Sequence, residues 1–330
     1  MKRNFSCAKS LLTLLLYFSL TSANALDVNR DDVGAFIDEM VNEHQLDRDF
    51  VTAVLERAES QQSILDAMSR PAERVLTWHD YRKIFITPER IAAGAAFYEE
   101  HRDRLTQIAA DTGVSTAMIL GIVGVESYYG RITGKHRVVD ALVTLGFDYP
   151  PRATFFRSEL KNVFLLANEE QLDIDALVGS YAGAMGPPQF IPSSYRAYAV
   201  DGDGDGQRDL LNSWDDILAS VANYFAVHKW RSGEPVAAMA TLSDGTTNPP
   251  LQQKLKLAST VGKLSNAGVL FATELNDNAA AGLWKLESKD ADEYWVGFNN
   301  LYVITRYNRS VMYALAAWQL GEAVVAEADQ

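Results

Sequence analysis

The chain has 330 residues, of which 22% are charged and 48% hydrophobic, and its formal net charge at pH 7 is −13. Such an acidic balance makes nucleic acid and anionic membrane surfaces poor partners, so we expect no nucleic-acid binding. The single cysteine, Cys7, excludes an intramolecular disulfide framework. The length suffices for two or three packed units.

The first 25 residues have the pattern of a secretory signal peptide. Three basic residues occur among the first nine, an apolar stretch follows over 11–20, and residues 23–25 read Ala-Asn-Ala, a cleavage site. A membrane anchor is the alternative, but the stretch is well below the roughly 20 residues that a span needs. Cys7 precedes the apolar stretch, so no lipid anchor is expected. Cleavage after Ala25 would leave a periplasmic protein of 305 residues with a charge of −16.

Most of the remaining chain has a helical pattern. Apolar residues recur at three- and four-residue spacing over 27–107 and 111–230, where two loops, YAGAMGPPQFIPSS and DGDGDGQRD, interrupt the pattern. Short aromatic segments between turns predict strands near the C-terminus. We therefore expect an α+β fold that is mostly α. Its predicted units are an α-rich N-terminal region at 26–110, a core at 111–234, a small β-rich insert at 235–300 and a C-terminal helix at 301–330.

One carboxylate, Glu126, ends an otherwise apolar segment that Ser115 is predicted to cap. Glu126 follows Ile119 by seven residues, which places both on one face of a helix. Contact with apolar neighbours is expected to raise the pKa of the carboxyl group, and a raised pKa suits a general acid. The alternative is a helix-end glutamate that reaches water or pairs with Arg131. The hydroxyl and aromatic side chains of 127–129 favour a sugar-binding cleft.

The string DGDGDGQRDLLN has the spacing of a calcium loop. Position 12 is Asn212 instead of the usual glutamate, and Asp215 or Asp216 could close a longer loop. An exposed loop of Asx turns, or a site for sodium or another hard cation, is the alternative. We expect structural Ca²⁺ and no organic cofactor. The predicted ligands are Asp201, Asp203, Asp205, Gln207, Asp209 and Asp216.

The sequence motifs of several other enzyme classes are absent. Gly179 and Ser180 begin a G-S-x-x-G pattern, which differs from the G-x-S-x-G of many serine hydrolases. The five histidines form no zinc-binding spacing, and neither a phosphate-binding loop of the Walker type nor a G-x-G-x-x-G motif occurs. Serine-hydrolase, zinc and nucleotide chemistry are therefore not expected.

Four stretches, taken in order, resemble the lytic murein transglycosylase B family. They are GVESYYGRITGKHRVVDALVTLGFDYPPRATFF, GSYAGAMGPPQFIPSSYRAYAVDGDGDG, SVANYFAVHKW and ITRYNRSVMYALAAWQLG. The resemblance extends from about Trp78 to Gly321. It implies a lysozyme-like α+β catalytic core and a non-hydrolytic cleavage of peptidoglycan between N-acetylmuramic acid and N-acetylglucosamine. The lipid-attachment motif of some family members is absent, which favours a soluble form.

The resemblance also implies roles for individual residues. Glu126 would be the single acid/base, first protonating the glycosidic oxygen and then deprotonating the muramyl 6-hydroxyl, so that a 1,6-anhydromuramic end forms. The family's sugar-contact positions fall on Tyr81, Ser180, Gln189, Tyr224, Tyr307, Asn308 and Tyr313. Ser180 would orient the N-acetyl group. Peptidoglycan glycan strands are the expected partner and a monomer is the expected state; proteins of cell-wall synthesis or division are candidate partners that the sequence does not identify.

Two other functions remain open at this point. A hydrolytic muramidase would need Glu126 and a second carboxylate, for which the downstream carboxylates of Asp140 and Glu159 are the candidates. A calcium-dependent or catalytically silent peptidoglycan-binding module would have no activity to lose on Glu126→Gln. The products formed from peptidoglycan separate the three functions.

Overall fold

The computed structural model describes residues 23–69 and 76–330. The predicted signal peptide lies outside the described residues as far as residue 22. Its predicted cleavage site forms a short strand, β1 (Ala23–Ala25), which pairs antiparallel with β2 (Glu59–Gln61). Cleavage after Ala25 would remove β1, so this pair would belong to the uncleaved precursor.

The N-terminal region is helical, as the sequence pattern predicts. Its helices are α1 (Asp31–Asn42), α2 (Arg48–Glu56), α3 (Gln62–Met68), α4 (Trp78–Phe85) and α5 (Pro88–Thr112). The side chains of Asp47, Thr77 and Thr87 cap α2, α4 and α5 by accepting backbone amide protons. Gly113 ends α5 with a φ of 72°, a conformation that glycine adopts without strain.

The central part of the chain is also mainly helical. It contains α6 (Thr116–Ser127), α7 (Val138–Phe147), α8 (Ala153–Glu169), α9 (Pro192–Tyr198) and α10 (Trp214–Val227). Two short strands, β3 (His136–Arg137) and β4 (Val178–Gly179), pair antiparallel. The side chain of Ser115 caps α6 by accepting the Met118 amide proton, which confirms the predicted start of this helix.

A five-stranded sheet forms the predicted β-containing insert. Its strands are β5 (Ala237–Leu242), β6 (Ser259–Thr260), β7 (Val269–Leu270), β8 (Ala280–Leu286) and β9 (Glu293–Gly297), with α11 (Val261–Asn266) between β6 and β7. The order is β6-β8-β9-β5-β7 with antiparallel neighbours. Leu283, Val296 and Phe298 belong to a separate hydrophobic cluster, whereas the paired Trp284 and Trp295 belong to the large helical core. One face of the sheet therefore packs on the helices.

The segment 301–330, predicted as one helix, consists of two. Helix α12 (Asn299–Tyr307) ends because Asn308 has an extended backbone, with φ −134° and ψ 129°. Ser310 then caps α13 (Val311–Ala328) by accepting the backbone amide proton of Tyr313. The break places Tyr307 at the end of one helix and Tyr313 near the start of the next. The boundaries of the predicted units remain predictions.

Helices α6 and α13 pack with their backbones in contact. A Cβ atom added to Gly121 would lie 2.0 Å from the carbonyl oxygen of Ala317, and one added to Gly321 would lie 1.8 Å from that of Ala117. Glycine alone permits this approach. Every residue of α6 from Ala117 to Val125 is buried. Neighbours therefore surround this helix on all sides over 117–125.

Among the described residues, no single helix is both long and apolar enough to cross a bilayer. Helices α5 and α6 reach the required length and apolarity only as a pair, and the chain bends by 116° between them.

Candidate active site

Glu126 lies in the last turn of α6 and is half-buried. The helix ends directly after it because Tyr128 and Tyr129 adopt the left-handed region, with φ values of 52° and 57°, and Gly130 follows with 79°. Two successive non-glycine residues at positive φ are costly, and such strain is concentrated at functional sites. Ser127 secures the turn, since its Oγ donates to the Val123 carbonyl and accepts from the Gly130 amide. The sharp turn holds Glu126 at the end of a rigid buried helix.

Tyr313 contacts Glu126 directly. Its hydroxyl donates a hydrogen bond of 2.5 Å to Glu126 Oε1, and its side chain is 2% exposed. Burial, followed by the negative charge of Glu126, raises the pKa of the Tyr313 phenol well above its ordinary value. The phenol therefore keeps its proton and remains a hydrogen-bond donor to the carboxylate. This contact joins the end of α6 to the start of α13, which the sequence alone could not place together.

An aromatic wall of Phe190, Tyr224 and Tyr307 lies beside this pair. The ring centroids of Tyr224 and Tyr307 are 4.8 Å apart, and those of Phe190 and Tyr307 are 5.7 Å apart. Burial and then the charge of Glu126 raise the pKa of Tyr307. The Tyr307 hydroxyl donates to the Pro188 carbonyl at 2.5 Å, and that of Tyr224 donates to a backbone carbonyl at 2.6 Å. The hydroxyls thus fix the rings against the surrounding backbone.

The glycine- and proline-rich loop carries Ser180 and Gln189. Ser180 Oγ accepts from the amides of Ala182 and Ala184 at 3.2 and 3.1 Å, which forms a tight local turn. Gln189 has a φ of 50°, and its side-chain amide donates to the carbonyls of Thr133 and Gly186 at 2.9 and 3.0 Å. Both side chains shape the loop, and the Pro188–Tyr307 bond holds that loop against the aromatic wall.

Tyr81 and Asn308 are the remaining predicted contact residues. Tyr81 is 2% exposed on α4, its ring centroid lies 5.2 Å from that of Phe85, and its phenol contributes to the raised pKa of Tyr313. Asn308 is half-buried in the break between α12 and α13, directly after Tyr307. The structure therefore brings Tyr307 and Tyr313 close to Glu126, with Tyr81 next to Tyr313 and Tyr224 next to Tyr307. Asn308 follows Tyr307 directly in the chain.

Arg90 is a residue near the site that the sequence analysis missed. Its guanidinium lies 4.8 Å from the ring centroid of Tyr128 and 5.3 Å from that of Phe85, and Arg131 lies 4.9 Å from the Tyr128 ring. Burial lowers the pKa of Arg90. A signal was available, because Arg90 occupies the first turn of α5, where the helix dipole disfavours a cation. The guanidinium groups of Arg90 and Arg131 thus both contact the ring of Tyr128, two residues after Glu126.

The two candidate second carboxylates are both occupied by structural contacts. Glu159 is 3% exposed and accepts hydrogen bonds from the Ser193 amide at 2.9 Å and the Ser193 hydroxyl at 2.7 Å. Asp140 is 5% exposed and accepts from the Glu59 amide at 3.0 Å. Burial raises the pKa of both carboxyl groups. Each carboxyl joins two segments of backbone, which is the pattern of a structural residue.

Three aspartates of the predicted calcium loop converge. Carboxylate oxygens of Asp201, Asp203 and Asp205 lie within 4.8 Å of one another, and all three side chains are exposed. The loop folds around Asp201, whose carboxylate accepts the amide protons of Gly204 at 2.6 Å and Gly206 at 2.8 Å. Clustered hard oxygen donors on such a loop fit a calcium ion.

The other predicted metal ligands hold the loop in place. Asp216 is 1% exposed and accepts the amide protons of Gly202 and Asp209, both at 2.7 Å. The Asp209 carboxylate accepts from amides two and three residues later, and the Gln207 amide donates to Asp205. Among the acidic residues that the structure describes, Asp209 and Asp216 are not part of the converging group. For Gln207 the predicted ligand atom is the backbone carbonyl oxygen. The roles of these three residues as metal ligands remain a prediction.

A helical core that presents one half-buried glutamate beside a wall of tyrosines is the arrangement expected of a lysozyme-like enzyme that cleaves glycans. Comparison with known proteins makes the class specific. The model of a family described as "Transglycosylase SLT domain" matches residues 29–322. The chain belongs to this transglycosylase family, which confirms the resemblance seen in the sequence motifs.

Individual relatives agree with this assignment. The chain is 42% identical over 307 residues to the membrane-bound lytic murein transglycosylase B of Escherichia coli (strain K12), covering 90% of this chain and 83% of the relative. The soluble lytic transglycosylase SltB1 of Pseudomonas aeruginosa is 44% identical, with a TM-score of 0.86 over 91% of this chain and 100% of that one. The E. coli lytic transglycosylase Slt35, solved in complex with calcium, is 41% identical, with a TM-score of 0.85 over 93% and 97%. The α+β, mostly α fold with a lysozyme-like core is thereby confirmed, and the chain is a lytic transglycosylase.

Proposed function

We propose that this chain cleaves the β-1,4 bond between N-acetylmuramic acid and N-acetylglucosamine of peptidoglycan, with Glu126 as its single acid/base and a 1,6-anhydromuramic end as product. The relatives support the substrate. The E. coli relative is a lytic murein transglycosylase, and the structure of SltB3 from P. aeruginosa, 26% identical, contains NAG-anhNAM-pentapeptide. The observation that carries the proposal is the Glu126–Tyr313 hydrogen bond within the aromatic wall.

In the proposed reaction Glu126 first donates a proton and then accepts one. The protonated Glu126 gives its proton to the glycosidic oxygen as the bond from that oxygen to C1 of the muramyl residue breaks. The resulting carboxylate takes the proton of the muramyl 6-hydroxyl as its oxygen bonds to C1. No water is consumed, and Glu126 ends protonated. The Tyr313 hydroxyl steadies the carboxylate in between, because its raised pKa keeps it a donor.

The remaining contact residues receive roles consistent with their positions. Ser180 would orient the N-acetyl group, which would assist at C1. Tyr81, Gln189, Tyr224, Tyr307 and Asn308 would line the cleft that holds the sugar rings. Most glycoside hydrolases need a second carboxylate. The engagement of Asp140 and Glu159 in buried backbone contacts supports a mechanism in which the substrate supplies the nucleophile.

Product analysis tests this function. Purified peptidoglycan would be digested with the parent enzyme and with Glu126→Gln, and the muropeptides weighed by mass spectrometry. We expect products one water lighter than hydrolytic ones from the parent, and none from Glu126→Gln. Glu159→Gln is the matched control and should still give the lighter products. Hydrated reducing ends would establish a muramidase instead, and no cleavage by the folded parent would leave the peptidoglycan-binding module.

We also propose that Asp201, Asp203 and Asp205 bind a structural Ca²⁺. The convergence of their carboxylates supports this, as does the calcium complex of Slt35. The loop is joined to α5, since Arg104 donates to the Gly202 carbonyl and pairs with Asp215 at 2.7 Å. A metal ion there would neutralise the exposed carboxylates and stiffen the loop. Chelation should lower the melting temperature; loss of cleavage at an unchanged melting temperature would contradict a structural role.

We also propose a periplasmic location, which the predicted signal peptide supports. The N-terminal sequence of the protein recovered from the periplasmic fraction should begin at Leu26. A protein that retains Ala23–Ala25 would show that cleavage does not occur at the predicted site.

A further inference from the structure

A second concave region lies behind the catalytic pair. It consists of two adjoining pockets with volumes of about 580 and 480 Å³, and Trp318 and Glu322 line both. Tyr313 and Glu322 are nine residues apart on α13. Because successive residues of an α-helix are rotated by about 100°, nine residues make about two and a half turns, and the two side chains lie on opposite sides of the helix. The region is therefore separated from Glu126 by α13 and is distinct from the catalytic cleft.

Several tryptophans contribute to the lining of this region, which we call the tryptophan groove. Trp78, Trp230, Trp295 and Trp318 line it, four of the six tryptophans of the chain. Glu293 accepts hydrogen bonds from the indoles of Trp78 at 2.9 Å and Trp295 at 3.0 Å, which fixes both rings. Trp318 is half-buried and meets Trp295 edge to face. A rigid aromatic lining with a few polar groups is typical of a ligand site.

One wall of the tryptophan groove is cationic although the chain as a whole is acidic. Arg82 and Lys83 of α4 line it, in a protein with a net charge of −13. Arg82 Nε donates to the neutral side-chain oxygen of Gln319 at 2.7 Å, so this contact does not compensate its charge. The carboxylate of Glu293 is engaged by the two indoles, whereas Glu322 places a negative charge on the α13 side of the groove. The wall is thus suited to a ligand that combines flat apolar faces with carboxylates.

We propose that the tryptophan groove binds a second segment of peptidoglycan, away from the bond that is cleaved. The apolar faces of its sugar rings would stack on the half-buried Trp230 and Trp318, which the buried Trp78 and Trp295 support from below. The carboxylates of its stem peptides would lie near Arg82 and Lys83. This inference rests on the proposed function, which makes that polymer the substrate. Binding behind α13 holds the enzyme on the cell wall while the catalytic cleft exchanges its substrate.

Sedimentation with intact, insoluble peptidoglycan tests the groove. All proteins would carry Glu126→Gln so that the polymer is not consumed. Met239 lines the groove and is 59% exposed on β5, so Met239→Glu adds a negative charge there with little effect on folding. Leu270→Glu is the matched control, because Leu270 is 53% exposed in the same sheet and does not line the groove. We expect Met239→Glu to raise the dissociation constant at least about tenfold and Leu270→Glu to leave it unchanged. Equal binding by the two variants would overturn the inference.

Two further measurements separate this inference from the proposed function. Arg82→Gln with Lys83→Gln should weaken binding of peptide-bearing strands but not of strands stripped of their stem peptides. With Glu126 intact, Met239→Glu should cleave a short soluble muropeptide as fast as the parent, because such a fragment fills the catalytic cleft alone. If the parent cleaves nothing, the proposed function fails, whereas the sedimentation comparison still decides whether the groove binds the polymer.

Discussion

Replacement of Tyr313 by phenylalanine tests the central contact of the site. The change removes one hydroxyl and keeps the buried ring, so α13 should fold as before. The pKa of Tyr313 is raised in part by its hydrogen bond to Glu126. Because such coupling is mutual, the same bond stabilises the ionised carboxylate of Glu126. Tyr313→Phe should therefore raise the pKa of Glu126.

The size of this effect follows from the contact. A hydrogen bond to a charged group contributes about 1.5–3 kcal/mol, and one pKa unit corresponds to about 1.36 kcal/mol. Loss of the 2.5 Å bond should raise the pKa of Glu126 by roughly 1–2 units. The proposed mechanism begins with a protonated Glu126, so the alkaline limb of the rate profile should move to higher pH by the same amount.

The assay is the initial rate of muropeptide release at low substrate concentration as a function of pH. Tyr98→Phe is the matched control, because Tyr98 is also buried and its hydroxyl accepts from Arg102 at 3.1 Å, away from Glu126. The control should leave the alkaline limb in place. An alkaline limb that stays fixed in Tyr313→Phe, or moves to lower pH, would refute the reasoning that the phenol stabilises the charged form of the catalytic carboxyl.

Three further predictions concern stability. Gly321→Ala should lower the free energy of unfolding in urea by about 3 kcal/mol or more, because the added Cβ would lie 1.8 Å from a carbonyl oxygen. Gly34→Ala is the control: nothing lies within 4 Å of its added Cβ, and it should raise the free energy of unfolding by about 1 kcal/mol. Burial raises the pKa of Glu159 above its ordinary value of 4.5, so its contribution to stability should fall as pH rises from about 4.5 through the raised value; Glu159→Gln should abolish that dependence. Millimolar Ca²⁺ should raise the melting temperature of the parent but not of Asp201→Ala, and an equal rise in both would contradict the predicted site.

Local features of the site could be predicted from the sequence because their causes are local. Ser115 caps α6 through an amide three residues away, and the Asp-Gly repeat brings Asp201, Asp203 and Asp205 together within five residues. Glu126 was recognisable as a charge at the end of an apolar segment. Each of these depends on spacing along one helix or loop, which periodicity and turn chemistry express directly.

Other features depend on contacts between distant segments. The Glu126–Tyr313 bond joins residues 187 positions apart, and spacing gives no information on such a pair. The same holds for Arg90 and Tyr128. The break at Asn308 was missed because the residues on both sides have helical patterns, and the extended conformation of one residue separates them. Side-chain burial on all faces of α6 likewise follows from its neighbours rather than from its own sequence.

Helix α13 connects these observations. Its backbone contacts α6 where Gly121 and Gly321 permit the closest approach. Gly121 lies five residues before Glu126, and Gly321 lies eight residues after Tyr313. A helix pair held by backbone contact cannot slide without steric overlap, so the Tyr313 hydroxyl is kept at hydrogen-bonding distance from Glu126. The opposite side of α13 presents Trp318 to the groove. One rigid helix therefore carries the proposed catalytic contact on one side and the proposed peptidoglycan contact on the other. A glycan strand held in the groove would thus contact a helix whose position relative to the reacting bond is fixed.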